Sequence, residues 1–141
     1  MSQENVEVVR ELYERFDETH QPVAEMLAPD FAWDMSTFVG WPEDPVYYGA
    51  DGMARFLATW LENFEDWEVR LERLLDAGND DVVAFVWQRA RSTESGVAVE
   101  MSLAQVWTVR DGLAARMQMY ADRAEALEAA GLSEEKAPAD S

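Results

Sequence analysis

The 141-residue chain contains no cysteine, which excludes disulfide staples and thiol nucleophiles. A single histidine, His20, leaves no nitrogen-rich zinc or iron site to expect, and nothing in the sequence asks for a cofactor. Basic residues are scarce, with 11 Lys and Arg against 29 Asp and Glu and a formal net charge of −18. Such a surface repels nucleic-acid phosphates and anionic membranes, so neither is an expected partner. No apolar run approaches the ~20 residues of a membrane-spanning helix. The opening MSQENVEVV lacks the basic flank and apolar stretch of a secretory leader, so a cytoplasmic protein is the expectation.

What the chain does hold is apolar bulk. Hydrophobic residues make up 48% of it, enough for one domain with one core. Aromatic residues make up 11%, with six Trp and six Phe, more bulky surface than packing alone requires.

Periodicity divides the chain in two. Residues 4–16 place Val6, Val9, Leu12, Tyr13 and Phe16 at helical spacing. A short second helix is expected from Pro22 to Pro29, with Val23, Met26 and Leu27 on its apolar side. The run DFAWDM (30–35) reads as a strand, and the Gly- and Pro-rich segment 36–52 as a loop. Asp51 is placed to cap a third helix whose stripe includes Met53, Phe56, Leu57, Trp60, Leu61 and Phe64. Beyond it, segments 67–78, 81–91, 96–110 and 113–121 alternate with period two and are separated by the turn signals GNDD and RDG. They predict an antiparallel meander. Asp122-x-x-Glu125 forms a capping box for a last helix that Gly131 stops, and residues 133–141 form an expected disordered tail. Helices gathered before an antiparallel sheet define an α+β domain over residues 1–132. A curved sheet covered on one face by helices makes a cone with a mouth.

The strand MSLAQVWTVR breaks its own pattern. Met101, Leu103, Gln105, Trp107 and Val109 share one face, and all but Gln105 are apolar. A buried amide without partners costs roughly 1–3 kcal/mol, so either the fold or a bound molecule must supply them.

The element order, with GWPEDPVYYG before the third helix, VWTVRDG at the hairpin and YADRAEALEAAGL at the end, resembles the SnoaL-like branch of the nuclear transport factor 2-like superfamily. The resemblance covers about residues 4–132. It implies a cone-shaped α+β fold, a homodimer, and an internal pocket for a small, mostly apolar molecule. Polyketide cyclases, ketosteroid isomerases, epoxide hydrolases, dehydratases and many members of no known activity share the fold, so the fold leaves the reaction open.

Site residues follow from alternation and resemblance together. The inward faces are expected to be Met101, Leu103, Gln105 and Trp107 on one strand, Met117 and Met119 on the last, and Val83, Phe85, Trp87 and Arg89 on a third. With Trp33, Met35, Trp60, Phe64 and Tyr13 they would enclose an aromatic, Met-rich chamber, in which core and pocket lining are partly the same residues. In the isomerase relatives a protonated acid on the strand and a Tyr on the first helix polarise the substrate oxygen. The resemblance puts Gln105 and Tyr13 in those roles, the amide being a weaker donor than the acid. The isomerase base falls at Met35, with Asp34 one residue away. The carboxylate that cyclase relatives keep on the last strand falls at Met119, and nearby Asp122 has a capping role instead. Acid–base catalysis on a carbonyl or epoxide would use Asp34 turned inward as base, with Asp122 as the second candidate. Without a base the chamber reads as a non-catalytic site for a small hydrophobic ligand. Arg89, if inward, would need a buried carboxylate or an anionic ligand, and otherwise belongs to the surface. His20 sits in a loop-like setting, and DAGNDD lacks the ligand spacing of a calcium loop. The opposite face, with Ala84, Val86, Gln88, Ala98, Ser102, Ala104, Val106, Thr108, Gln118 and Tyr120, is flat enough for a two-fold interface.

Overall fold

A computed structural model describes residues 2–19, 21–38, 45–78 and 80–132. His20 and the tail 133–141 lie outside the described residues. The elements are α1 (Ser2–Thr19), a single 3-10 turn (Ala24–Met26), β1 (Leu27–Asp34), β2 (Val46–Tyr48), α2 (Gly49–Asn63), β3 (Phe64–Gly78), β4 (Asp81–Ser92), β5 (Ala98–Arg110), β6 (Leu113–Tyr120) and α3 (Arg123–Ala129).

The six strands form one mixed sheet in the order β2-β1-β6-β5-β4-β3. The meander β3–β6 is antiparallel, as the turn signals imply, whereas β1 lies parallel to β6. Helices α1 and α2 cover one face. Val9, Leu12, Phe56 and Trp60 from these helices meet Phe31, Val86, Leu103 and Trp107 of the sheet in the main core. Helix α3 covers the other face, where Ala126 and Leu127 pack with Leu75, Val83, Phe85, Ala104, Val106 and Tyr120. Among the described residues, no helix is long and apolar enough to cross a membrane.

Three local expectations are corrected. The second helix is only one turn: Leu27 is already extended, and Pro29 forces Ala28 away from helical geometry. Pro29 instead lies in β1, within the register irregularity between Leu27 and Ala32, where its missing N–H leaves no ladder position empty. The predicted loop before α2 contains β2, whose Tyr47 pairs with Trp33. Asp51 is not the α2 cap, because the helix starts at Gly49 and Tyr48 holds the cap position without a side-chain bond. Asp51 still faces the positive end of the helix dipole from the first turn.

Gly52 explains how closely β2 approaches α2. A Cβ there would lie 2.9 Å from the Tyr47 carbonyl carbon. Alanine normally stabilises a helix over glycine by about 1 kcal/mol. Here the clash reverses the sign, and Gly52→Ala should destabilise by about 1–3 kcal/mol, read as a lower Tm in thermal unfolding.

The end of α3 follows its sequence closely. Asp122 accepts from the Ala124 and Glu125 amides at 2.8 and 3.4 Å. Gly131 takes a left-handed conformation (φ 81°), which lets the Leu132 amide reach the Leu127 carbonyl at 2.7 Å.

Candidate functional site

Strand parity decides which residues face the chamber between the sheet and helices α1 and α2. On β5 the odd residues point inward, so Leu103, Gln105 and Trp107 line it. Across the β5–β6 ladder Gln105 sits opposite Met119 and Trp107 opposite Met117, which puts both methionines on the same face. Across β4–β5, Ala84 pairs with Gln105, Val86 with Leu103 and Gln88 with Met101. The inward residues of β4 are therefore the even ones.

This corrects the expectation for β4. Phe85, Trp87 and Arg89 point to the opposite face. Phe85 packs under α3. Arg89 donates to Glu68 Oε1 at 2.8 Å near the surface and lies over the Trp87 ring at 5.7 Å. Alternation was uninformative because Val82 to Val86 are all buried, with α1 and α2 on one side and α3 on the other. The flat outer face expected for dimerisation changes with it: Ala84, Val86 and Gln88 lie inside, while Ala104, Val106 and Tyr120 lie beneath α3.

Eight of the sequence-derived residues stand on the chamber wall: Tyr13, Trp33, Met35, Trp60, Leu103, Gln105, Trp107 and Met119. Met117 is fully buried in the core behind the wall, and Met101 and Phe64 pack against that core. Phe64 leans on Trp60 with ring centroids 4.5 Å apart. Phe16, Phe38, Trp67, Val69, Val86 and Gln88 also line the chamber and were not assigned to it. Gln88 was legible in principle, since an amide is cheaper to bury than the guanidinium of its neighbour Arg89.

The chamber is tight. Its volume is about 60 Å³, smaller than the ~150 Å³ cavity that admits a benzene ring. Any larger molecule must displace side chains, and Met35, Met53 and Met119 are unbranched and adaptable. Four aromatic rings form much of the wall. Trp107 meets Trp33 edge-on at 6.2 Å, Trp33 meets Phe56 at 4.9 Å, and Phe56 stacks on Trp60 at 6.0 Å.

The polar groups of the wall form a directed chain. Trp107 Nε1 donates to the Tyr13 hydroxyl at 3.1 Å, and Tyr13 donates to Gln105 Oε1 in a short bond. Gln105 Nε2 in turn points to the Met119 sulfur at 3.7 Å. The Tyr13 oxygen is thus already used as donor and acceptor. Burial pushes its phenol well above the ordinary tyrosine range, more than the Trp107 bond lowers it. The Gln105 amide faces only a thioether, a weak acceptor. At the other end, Trp67 Nε1 donates to Gln88 Oε1 at 2.8 Å.

Asp34 does not belong to this wall. On β1 it pairs with Gln118, and Ala32 pairs with Arg116, so it shares the outer face while Trp33 and Met117 share the inner one. Its carboxylate accepts from Arg116 Nη2 at 2.7 Å and from the Ser36 amide at 2.8 Å. Burial alone would raise its pKa, but the bonds from Ser36 and Arg116 outweigh that and hold it below the usual aspartate value. Asp122 is committed to the α3 cap on the far side of the sheet. Among the described lining residues, Tyr13 is the only ionisable one.

A six-stranded mixed sheet with two helices over one face and an apolar chamber between them is the architecture of the nuclear transport factor 2-like α+β fold. Solved structures match the chain over most of their length. One is a nuclear transport factor 2-like protein of unknown function from Burkholderia pseudomallei, 21% identical, with 89% of this chain and 95% of that chain covered and a TM-score of 0.72. TerC, co-crystallized with polyporic acid, is 22% identical, with coverage of 91% and 98% and a TM-score of 0.72. A Jannaschia protein described as a SnoaL-like polyketide cyclase is 20% identical, with coverage of 84% and 85% and a TM-score of 0.66. Within the class, the SnoaL-like domain model matches residues 9–117, and the chain belongs to that family. No curated protein matches it.

Proposed function

We propose that this protein is a non-catalytic binder of a small, mostly apolar molecule bearing an acceptor oxygen. The Gln105 amide carries the reading. Its oxygen is committed to Tyr13, while its N–H faces a thioether inside an aromatic enclosure, a donor whose best partner would come with a ligand. Proton abstraction or water activation needs a positioned base. The two carboxylates considered for that role, Asp34 and Asp122, are held elsewhere by Arg116, Ser36 and the α3 amides. A homodimer belongs to the same reading, through the outer-face strip at Ala98, Glu100 and Ser102 that remains exposed.

Biphenyl and 4-acetylbiphenyl differ by one carbonyl and separate the alternatives. Both should quench the chamber tryptophans, and the ketone should bind more tightly. Gln105→Met should weaken the ketone roughly tenfold, the equivalent of one hydrogen bond, and leave biphenyl unchanged. Protein-catalysed deuterium exchange at the acetyl methyl would overturn the non-catalytic reading in favour of acid–base chemistry.

A further inference from the structure

Gln88 has no place in the reading above. It is 6% exposed, lines the chamber, and has its oxygen committed to Trp67. Its Nε2 has no acceptor among the described residues. The chamber thus holds two buried amides oriented alike. Each oxygen is pinned by an aromatic donor, Tyr13 for Gln105 and the Trp67 indole for Gln88. Pinning the oxygen fixes which way the amide faces, so each side chain turns its N–H toward the remaining space.

Their spacing comes from the ladder. Gln88 pairs with Met101, four residues along β5 from Gln105, on the same face. At about 3.3 Å per residue the two amides start about 13 Å apart along the strand direction. Val86, Leu103 and the Trp60 ring line the same chamber, and the Trp60 indole adds an N–H to its wall.

We infer that Gln88 is a second binding residue and that the ligand is an elongated apolar molecule with a hydrogen-bond acceptor at each end. This rests on the proposed binding function and deepens it. Gln105 takes one end and Gln88 the other, with the aromatic walls along the middle. Gln105 Nε2 meets only a weak thioether acceptor, and Gln88 Nε2 has no acceptor among the described residues. A molecule that accepts from both should therefore be preferred over one that accepts at a single end.

The test uses 4,4′-diacetylbiphenyl beside 4-acetylbiphenyl, with affinities from tryptophan quenching of the full chain. The diketone should bind roughly tenfold more tightly than the monoketone. Gln88→Met should remove that preference and leave monoketone affinity unchanged. Gln88→Glu keeps an acceptor for Trp67 and donates only while protonated, so the preference should be lost as pH rises and the carboxylate ionises. Equal affinity of the two ketones for the unmodified protein overturns the inference without any variant. An equal loss for both ketones in Gln88→Met, or a preference in Gln88→Glu that does not change with pH, reduces Gln88 to a support for Trp67. Monoketone binding without diketone preference sinks only this inference, whereas failure of biphenyl and both ketones to bind sinks the proposed function with it.

Discussion

Trp107→Ala should cost about 3–5 kcal/mol, the range for removing a buried large aromatic side chain. Trp107 is 3% exposed and stands at the crossing of three ring contacts. It stacks near Phe31 at 6.2 Å, meets Trp33 edge-on at 6.2 Å, and meets Tyr13 edge-on at 6.0 Å. It also carries the first bond of the polar chain, to the Tyr13 hydroxyl. Deleting it opens a cavity and leaves Tyr13 with one partner fewer. Domains of this size hold only about 5–15 kcal/mol in total, so the variant should unfold at much lower urea concentration. Trp107→Phe separates the contributions, because it keeps most of the ring and loses the N–H. A cost near 1 kcal/mol is expected for it, and a loss as large as that of alanine would mean the hydrogen bond, not the packing, dominates.

Asp34→Ala should destabilise by about 2–3 kcal/mol, toward the low end for a broken buried pair because Arg116 remains half exposed. The carboxylate joins the end of β1 to β6 through Arg116 and closes the following turn through the Ser36 amide. The sign of the pH dependence follows from its depressed pKa. The stabilisation is complete above the unfolded aspartate value of about 3.9 and is lost as pH falls through the lower folded value. Asp34→Asn keeps an acceptor for Ser36 but removes the charge. The gap in denaturation midpoint between wild type and this variant should therefore be widest near neutrality and shrink in acid. A gap that persists below the folded pKa would show that Asp34 acts through shape, not charge. Neither aspartate variant should alter biphenyl binding, since the side chain lies across the sheet from the chamber.

Much of the fold was legible because local signals agreed. Helix α1 and the four-strand meander follow from periodicity, and the α3 cap follows from Asp122 and Gly131. The parallel β1–β6 pairing and strand β2 had no such local signature, being products of long-range pairing. Gln105 stood out because it interrupts an otherwise apolar strand face. Gln88 did not, because both faces of β4 are buried and either parity satisfies the hydrophobic pattern. Asp34 was uncertain by one residue, and in a strand one residue is the difference between chamber and opposite face.

The parallel seam between β1 and β6 also governs when the molecule can fold. Strands β3 to β6 pair with their neighbours in the chain, so the meander can assemble from local hairpins. Strand β1 can pair early with β2, but its other edge must wait for β6, which begins only at Leu113. Closing so long a loop is slow, and during synthesis the apolar β1 residues Phe31 and Trp33 leave the ribosome well before Met117 does. The dense negative charge of α1, which includes Glu4, Glu7, Glu11, Glu14, Asp17 and Glu18, travels just ahead of them. Like charges repel, so that negative stretch disfavours association between copies of the exposed segment before the last strand is made.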